Sequence, residues 1–556
     1  MDAQTGSIDK LQDEDEVRAC LATQSTFEGE RGNWESTWRD IDTRVDPQGQ
    51  GNFTKMSPGT ELGLDNFDAT AIDGLDRYTA AIAGLTIPRN ARWHSLATPD
   101  KDLTKLAPVQ RWLEHANDRL FACRYAPSAG FEMQATADIR QGGKYGTCPL
   151  WVDEWIGRGL FYRSLHMSEC YVGEDFRGRV DMTHRKFEMS VRQARQMLGE
   201  EALTDRMMEC WTNENPARRE EKFQFLHVLA PREDYEPGNP GPAGKPIKSL
   251  YIAMDEKMVL RRRGYASMPM VVSRTSLGAK YGRSPAMKVI GTIKTANEIA
   301  KTLLRSAHKA TDPALAFFDD GTLSRLSTKP GGLNPGMVDE FGRLLVAAIP
   351  GGGDVRFGME MQAAERSVIQ SAFLEELFQI LTNPADRMTA TQVLEMIQKQ
   401  GVLVGPFAGQ HETEKLGPMI ERELDILLRA GQIDPMPPEM IEAGMRPLAI
   451  YQNPLARMAR AEEAAGFTRW VEVAVQIAGA VGDASIFDHI NFDRAMPGLA
   501  EVLSVRPSWQ NSEEEVAQAR AAREQAKQVA ELSQALPGAA GAALDLSKAN
   551  QIAAAA

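Results

Sequence analysis

Gly142, Gly143 and Lys144 form a short motif that could suggest phosphate binding. A phosphate loop needs a further glycine five residues before the second of these, and a serine or threonine after the lysine. The glycines let backbone N–H groups surround the phosphates, and the hydroxyl holds Mg²⁺. Here Asp138 stands at the first of those positions and Tyr145 at the second. The spacing therefore does not predict a nucleotide site.

Metal, nucleophile and redox motifs are also incomplete. His411 and Glu412 open the sequence HETEK, but the second histidine of a zinc-protease helix is missing. No G-x-S-x-G nucleophile turn occurs. Eight histidines lie far apart in the sequence, although two could still converge in the fold. The odd number of cysteines and their spacing favour reduced thiols over a disulfide framework or zinc site: Cys20, Cys123, Cys148, Cys170 and Cys210. We predict no catalytic residue, no metal site and no cofactor.

Composition sets the outer limits. A chain of 556 residues, 43% hydrophobic and 25% charged, can bury a sizeable core and should form more than one domain. Its net charge of −13 is opposite to that of a tight, non-specific DNA binder. The apolar run at Val471 is short and contains Glu472 and Gln476, so we expect no membrane span. The polar, acidic start predicts no signal peptide, and hence assembly in a cytoplasm.

The element that would position any functional surface is a long helix beginning near Pro285. Proline suits a first helical turn, and the next proline is Pro313. Apolar residues between them recur at steps of three and four, which predicts one apolar stripe on a rod about 37 Å long: Ala286, Val289, Ile290, Ile293, Ala296, Ala300, Leu303, Leu304 and Ala307. The opposite face is predicted to be basic, with Lys288, Lys294, Lys301 and Arg305.

The stretch GYASMPMVVSRTSLGAKYGRSPAMKVIGTIKTAN, residues 264–297, resembles the portal proteins, or head-to-tail connectors, of short-tailed, podovirus-type bacteriophages. In that family a proline-led strand, an arginine, a Tyr-Gly-Arg-Ser-Pro turn and a long helix follow in this order. The aromatic residue that follows the arginine in the family is Thr275 here, which affects only local packing. The resemblance implies an α+β, mainly α, portal fold with wing, stem, clip and helical crown, assembled as a ring.

Further motifs follow in family order across about residues 30–528. Trp34, Trp38 and Ile41 lie on one face of a predicted opening helix, and Trp93 is predicted to be a packing residue. Alternating residues from 160 to 189 predict antiparallel strands. Two later helices carry apolar faces: Met361, Ala364, Val368, Leu374, Leu377, Phe378 and Leu381 in the first, and Leu416, Ile420, Leu424 and Leu427 in the second.

The resemblance divides the chain into nine predicted parts. These are a disordered N-terminus (1–16), a wing (17–230), a clip with adjoining strands (231–282), a stem helix (283–311), wing strands (312–348), a tunnel loop (349–358), a channel helix with C-terminal wing helices (359–485), a crown (486–536) and an alanine-rich tail (537–556). The crown helix is predicted to begin at a Ser512 cap.

By position in the family, a tunnel loop touching DNA would contain Gly351, Gly352, Gly353, Asp354 and Arg356. The consecutive Arg261, Arg262 and Arg263 would dock partners at the clip, with a solvated strand end as the alternative.

The implied function is a ring, usually a dodecamer, through which double-stranded DNA is packaged and ejected. The implied partners are the terminase large subunit, a tail adaptor, and scaffold and major capsid proteins, within the virion. The alternative, a terminase-like ATPase or nuclease, is disfavoured by the missing phosphate loop.

Overall fold

The structure is a computed structural model that divides into two units, residues 1–459 and 460–556. The first unit is described over residues 2–49, 53, 59–60, 63–89, 91–155, 157, 159–276, 278–311, 315–317, 341, 343, 346–348, 355–375 and 409–452. The second unit is described over residues 466–467, 469–479, 489–493, 495–496, 499, 511 and 515–526.

Twelve helices of the first unit's described part carry most of its core. They are α1 (Asp2–Arg44), α2 (Thr70–Thr86), α3 (Lys101–Lys105), α4 (Ala107–Arg124), α5 (Phe131–Tyr145), α6 (Val191–Leu198), α7 (Asp205–Thr212), α8 (Pro285–Lys288), α9 (Ile290–Thr311), α10 (Val355–Ala372), α11 (Gly417–Arg429) and α12 (Pro438–Glu442). A π-helical turn, Glu412–Leu416, leads into α11.

The strands in the described part of the chain form four antiparallel sheets. They are β1 (His94–Ala97), β2 (Thr147–Trp155), β3 (Gly159–Ser164), β4 (Cys170–Glu174), β5 (Val180–Ser190), β6 (Lys222–Pro231), β7 (Ile247–Ala253), β8 (Met258–Tyr265), β9 (Met270–Arg274), β10 (Leu315–Phe317), β11 (Val346–Ala348) and β12 (Leu448–Tyr451). The largest sheet has the order β4-β5-β6-β7-β8, the next β3-β2-β9, and β1-β12 and β10-β11 are pairs. The antiparallel strands predicted for residues 160–189 are confirmed.

The five-stranded sheet is covered by helices on both faces. Phe187 and Phe225 pack with α6 and α7 on one face. On the other face, Val17 and Cys20 of α1 pack against apolar residues of β6 and β7. The sheet extends across the predicted wing–clip boundary at residue 231, because β6 and β7 are hydrogen-bonded neighbours.

Helix α1 begins earlier than expected. Residues 2–16 were predicted to be disordered, but they are helical. Glu16 pairs with Lys248 at 3.3 Å and with Arg262 at 2.5 Å, and Val17 is buried on the sheet. Local composition could not show that the sheet offers α1 a surface, and tertiary packing supplies most helical stability. At its other end α1 stops at Arg44, with Trp38 and Ile41 fully buried as predicted.

The segment predicted to be one stem helix (283–311) contains two helices, α8 and α9, which corrects the prediction of one continuous rod. Ser284 caps α8 by accepting a hydrogen bond from the Met287 N–H at 2.9 Å, and Pro285 occupies the first turn. Val289 then leaves helical geometry, with φ −116° and ψ 15°. Its side chain is buried in the main core, so packing at this position accompanies the break before α9.

Two glycines allow the Tyr-Gly-Arg-Ser-Pro turn to cross the end of α5. Gly146 has φ +74°, and a Cβ there would lie 2.3 Å from the carbonyl oxygen of Gly282. A Cβ on Gly282 would lie 2.2 Å from the Gly146 carbonyl oxygen. Gly142 and Gly143 lie inside α5, and Gly146 ends the helix. Both crossing positions require glycine.

The C-terminal part of the first unit matches its predicted pattern. Leu416, Ile420, Leu424 and Leu427 are all buried, and α11 is followed by Gly431 with φ +65°. The strand β12 then pairs with β1, Tyr451 opposite His94.

The second unit runs from residue 460 to residue 556, and the predicted crown (486–536) lies within it. Residues 515–526 are helical, and Arg520 pairs with Asp493. Ser512 and the tail from 537 lie outside the described residues.

Candidate functional site

The Gly142–Lys144 motif is a structural element. Lys144 is buried in α5, with its Nζ 3.0 Å from Asp46 Oδ2 and 3.3 Å from Asp42 Oδ1. Burial raises the pKa of Asp42, opposed by the charge of Lys144. The backbone of Lys144 is part of α5, and its Nζ is paired with these two carboxylates. The residue is therefore not available to bind a phosphate. The sequence-based rejection of a phosphate loop agrees with this geometry.

The HETEK segment likewise packs inward. Burial, with the charge of Lys415, lowers the pKa of His411 to about 3. Lys415 forms an ion pair with Asp138 of α5, and Glu414 accepts from the backbone N–H of Arg274 at 2.8 Å. Within the described residues no group of three His, Cys, Asp or Glu side chains is arranged to hold a metal. The five cysteines are free thiols.

The predicted basic face of the stem is only partly open. Lys294 pairs with Asp40 of α1 at 2.5 Å. Lys301 lies 4.0 Å from Glu298 and 5.7 Å from the ring centre of Phe67. Lys288 and Arg305 are exposed. Of the four cations predicted for this face, two therefore lie near acidic residues and two face solvent.

The arginine run lies on β8, an edge strand of the five-stranded sheet. Arg261 donates to the carbonyl oxygen of Met197, at the C-terminal end of α6, at 3.1 Å. Arg262 pairs with Glu16 of α1, and Arg263 lies near Tyr265. The run therefore helps to hold α1 and α6 on the sheet, a role that its sequence gave no sign of.

Part of the tunnel-loop prediction can be located. Gly351, Gly352, Gly353 and Asp354 lie outside the described residues. Arg356 lies in the first turn of α10, which begins at Val355, so residues 355–358 are helical and not part of a loop. Gly358 lets α10 approach α9 closely, because a Cβ there would lie 2.6 Å from a methyl of Leu303.

The predicted buried side of α10 is wrong. Ile369 and Phe373 enter the core, whereas the predicted Met361, Ala364 and Val368 are exposed. Leu374, just after the end of α10, is the predicted residue that does pack against the core. Leu377, Phe378 and Leu381 lie outside the described residues.

Sequence reasoning missed a set of buried charges that join distant segments. Arg124 of α4 and Glu423 of α11 form an ion pair at 2.5 Å with both side chains fully buried. Tyr162 donates to Glu423 at 2.7 Å, and Arg124 lies 2.8 Å from His94 Nε2. Burial first, and then the Arg124 charge, hold the pKa of His94 well below 6.5. Partners about 300 positions apart leave no local signal.

Arg274 of β9 joins three more segments. Its guanidinium contacts Glu414 before α11, Glu174 at the end of β4 and the carbonyl oxygen of Gly178 in the β4–β5 turn. This is the arginine of the strand-arginine motif in the portal resemblance. Its geometry gives it a positioning role in holding the β4–β5 turn against the core.

The described residues thus contain the strand β9, the helices α8 and α9 and a following helix, α10, that packs closely on α9. The order of β9, the turn and these helices is the one that the portal resemblance predicts. The profile of the family described as "Bacteriophage head to tail connecting protein" matches residues 17–509. The chain belongs to this family. It is therefore a component of the junction between phage head and tail, and the predicted portal function and portal fold are confirmed.

Two relatives support the same assignment. A "Probable portal protein" of Bordetella phage BPP-1 is 26% identical over 513 residues, 89% of each chain. The "Portal protein" of Salmonella phage epsilon15 is 26% identical over 542 residues, 94% of each chain.

Among solved structures, the chain is similar to one titled "Virion of native gene transfer agent (GTA) particle". The TM-score is 0.36 and the identity 14%, with 83% of this chain and 99% of the other covered. A second solved structure is titled "Neck of empty GTA particle computed with C6 symmetry". Its TM-score is 0.37 and its identity 16%, with 83% of this chain and 99% of the other covered. Among the described residues, no helix combines the length and apolar character needed to cross a bilayer.

Proposed function

We propose that this chain assembles into a dodecameric ring at one vertex of the capsid and forms the conduit for double-stranded DNA during packaging and ejection. The observation that carries the proposal is the family match over residues 17–509 together with two portal relatives aligned over 89% and 94% of the chain. A structural role is consistent with Lys144, whose burial between Asp42 and Asp46 removes the single motif that pointed to a nucleotide enzyme.

The DNA path is proposed to include the tunnel loop, with Gly351, Gly352, Gly353 and Asp354, and the adjoining Arg356 of α10. Of the basic stem face, Lys288 and Arg305 are the cations proposed to meet DNA, because they face solvent whereas Lys294 and Lys301 have acidic partners. The net charge of −13 fits a conduit. A surface with many cations would bind DNA tightly through counterion release, and DNA bound in that way would not slide freely.

Partner docking is proposed for the β8 edge, with Arg261, Arg262 and Arg263. A terminase large subunit would bind there during filling and a tail adaptor afterwards, while scaffold and major capsid proteins surround the ring. Docking of an acidic partner would compete with the Arg262–Glu16 ion pair, so we expect it to weaken as salt is raised. Assembly is proposed to occur in the host cytoplasm.

The test is complementation of a phage that lacks a working copy of this gene. The wild-type chain should restore DNA-filled particles, whereas a chain shortened by residues 351–353 should form rings but package or retain less DNA. A surface loop contributes few buried contacts, so ring assembly is the control for folding. If the wild-type chain restores no filled particles although it is expressed and folded, the proposed function is wrong.

A further inference from the structure

Helix α1 contains two interior glycines that its packing does not require. Gly29 and Gly32 are exposed, and a Cβ at either position would meet nothing within 4 Å. Neither residue has the positive φ that favours glycine. Glycine weakens a helix interior more than any other residue except proline. The two glycines therefore mark a weak point in this long helix.

Residues 33–44, which follow the glycines, are rooted in the main core. Trp38 and Ile41 are fully buried there. The Trp38 ring packs edge-on against the ring of Tyr281, with the two ring centres 5.5 Å apart. This half of α1 can leave its place only if the core itself opens.

Residues 14–28, which precede the glycines, lie on the five-stranded sheet and are called the strap. Val17 and Cys20 pack on apolar residues of β6 and β7. Gln24 and Phe27 contact the buried His184 of β5. Only these four side chains of the strap are buried.

Ion pairs complete the attachment of the strap. Glu16 lies 3.3 Å from Lys248 and 2.5 Å from Arg262, and Glu28 lies 2.8 Å from Lys186. The paired side chains are between 26% and 41% exposed. Pairs this open to solvent add little stability and weaken as salt is raised. The strap is therefore held more weakly than the half of α1 that follows the glycines.

We infer that the strap opens away from the sheet about a hinge at Gly29 and Gly32, while residues 33–44 stay in the core. Opening uncovers the apolar face of β6 and β7 and separates Glu16 from Lys248 and Arg262. The strap thereby controls when these two cations can pair with an acidic partner. The opening itself does not depend on the proposed function, whereas this control of docking rests on the partner site proposed at β8.

The thiol of Cys20 measures the opening directly, because it lies between the strap and the sheet and is only 8% exposed. Cys170 is fully buried in the main core and measures opening of the core. The full-length chain is treated with a maleimide, and the initial labelling rate of each cysteine is followed by peptide mass spectrometry. Cys20 should react at least about tenfold faster than Cys170, since a weakly held segment opens without the core. Equal rates would mean that α1 leaves the sheet only when the core opens, which would overturn the inference.

Two alanines test the hinge. Gly29→Ala with Gly32→Ala should slow the labelling of Cys20 about five- to thirtyfold, because each alanine strengthens the helix at the hinge. Gly84→Ala is the matched control, since Gly84 is an exposed glycine of α2 whose Cβ would also meet nothing within 4 Å. The control should leave the Cys20 rate unchanged. No slowing in the double variant, or equal slowing in the control, would show that the two glycines are not the hinge.

Binding of a poly-glutamate peptide at low salt tests the control of the two cations. Glu16→Gln removes their acidic partner and should tighten binding about two- to fivefold. The double alanine variant, which favours the closed strap, should bind the peptide more weakly than wild type. Glu421→Gln makes the same change of charge at an exposed residue of α11 and is the matched control. Equal gains for Glu16→Gln and Glu421→Gln would contradict the control of docking, while the portal assignment would stand.

Discussion

Two regions of the first unit bury their interiors in different ways. The five-stranded sheet is held between α1 and α6–α7 by apolar side chains such as Phe187, Phe225 and Leu226. In the junction of α4, α5 and α11, buried ion pairs lie among the apolar residues: Arg124–Glu423, Arg422–Asp153 and Lys415–Asp138. An apolar core tolerates loss of one side chain by partial collapse, whereas a buried charge that loses its partner cannot be compensated. The junction should therefore be the more fragile region.

The largest expected effect is in the junction. Glu423→Gln keeps the shape of the side chain but leaves the fully buried Arg124 without a counter-charge. We expect a loss of about 3–5 kcal/mol in the free energy of unfolding, measured by chemical denaturation of the subunit.

Glu421→Gln on the same helix is the control for that prediction. Glu421 is solvent-exposed and lies 3.4 Å from Arg446, so its loss should cost less than about 1 kcal/mol. Replacing both Arg124 and Glu423 with apolar residues of similar volume should recover most of the loss. If Glu423→Gln and Glu421→Gln lowered the free energy of unfolding equally, the buried ion pair would not make the junction the more fragile region.

The second prediction concerns the sheet, where His184 is buried beside Gln24 of α1, with Nδ1 3.1 Å from Oε1. Burial, with the charges of Lys280 and Lys248, lowers the pKa of His184 to about 4. An unfolded histidine titrates near pH 6.5, so between pH 6.5 and 4 the unfolded chain binds more protons. The contribution is complete above about pH 6.5 and is lost as the pH falls, by about 2 kcal/mol at pH 5.

His184→Gln should flatten this part of the stability-versus-pH curve, even if it lowers stability at pH 7. Melting curves from pH 7 to pH 5 measure the slope. An unchanged slope in the variant would mean that His184 does not link protonation to folding.

The smallest predicted effect is at the helix cap beside the sheet. Ser190 and Gln193 form a reciprocal capping box, with Ser190 N–H donating to Gln193 Oε1 at 3.0 Å. Ser190→Ala should cost about 1 kcal/mol, measured by denaturation. Ser36→Ala, on the exposed side of α1, should cost less than about 0.5 kcal/mol. A cost at Ser190 no larger than at Ser36 would show that α6 is held by packing alone.

The same contrast explains what could be predicted from the sequence. The buried face of α11 and the strands from 160 to 189 were predictable, because periodicity reports an apolar face wherever a nearby surface covers it. The pairing of Lys144 with Asp42 and Asp46 was not, because it depends on how α1 crosses α5.

Helix α10 shows the limit most clearly. The apolar stripe at Met361, Ala364 and Val368 is visible in the sequence, which predicts that the core of the same chain buries it, whereas these residues are exposed. Periodicity gives the presence of such a stripe but not the surface that covers it. The arginine run misled for a related reason, since the contacts of Arg261 with α6 and Arg262 with α1 are long-range.

The most direct test of the portal assignment is negative-stain electron microscopy of the purified full-length chain. Class averages should show rings with a central hole, and native mass spectrometry of the same sample should give twelve copies of the 61.3 kDa subunit. Compact monomers or closed dimers without a hole, from a sample whose melting curve shows a folded protein, would contradict the account.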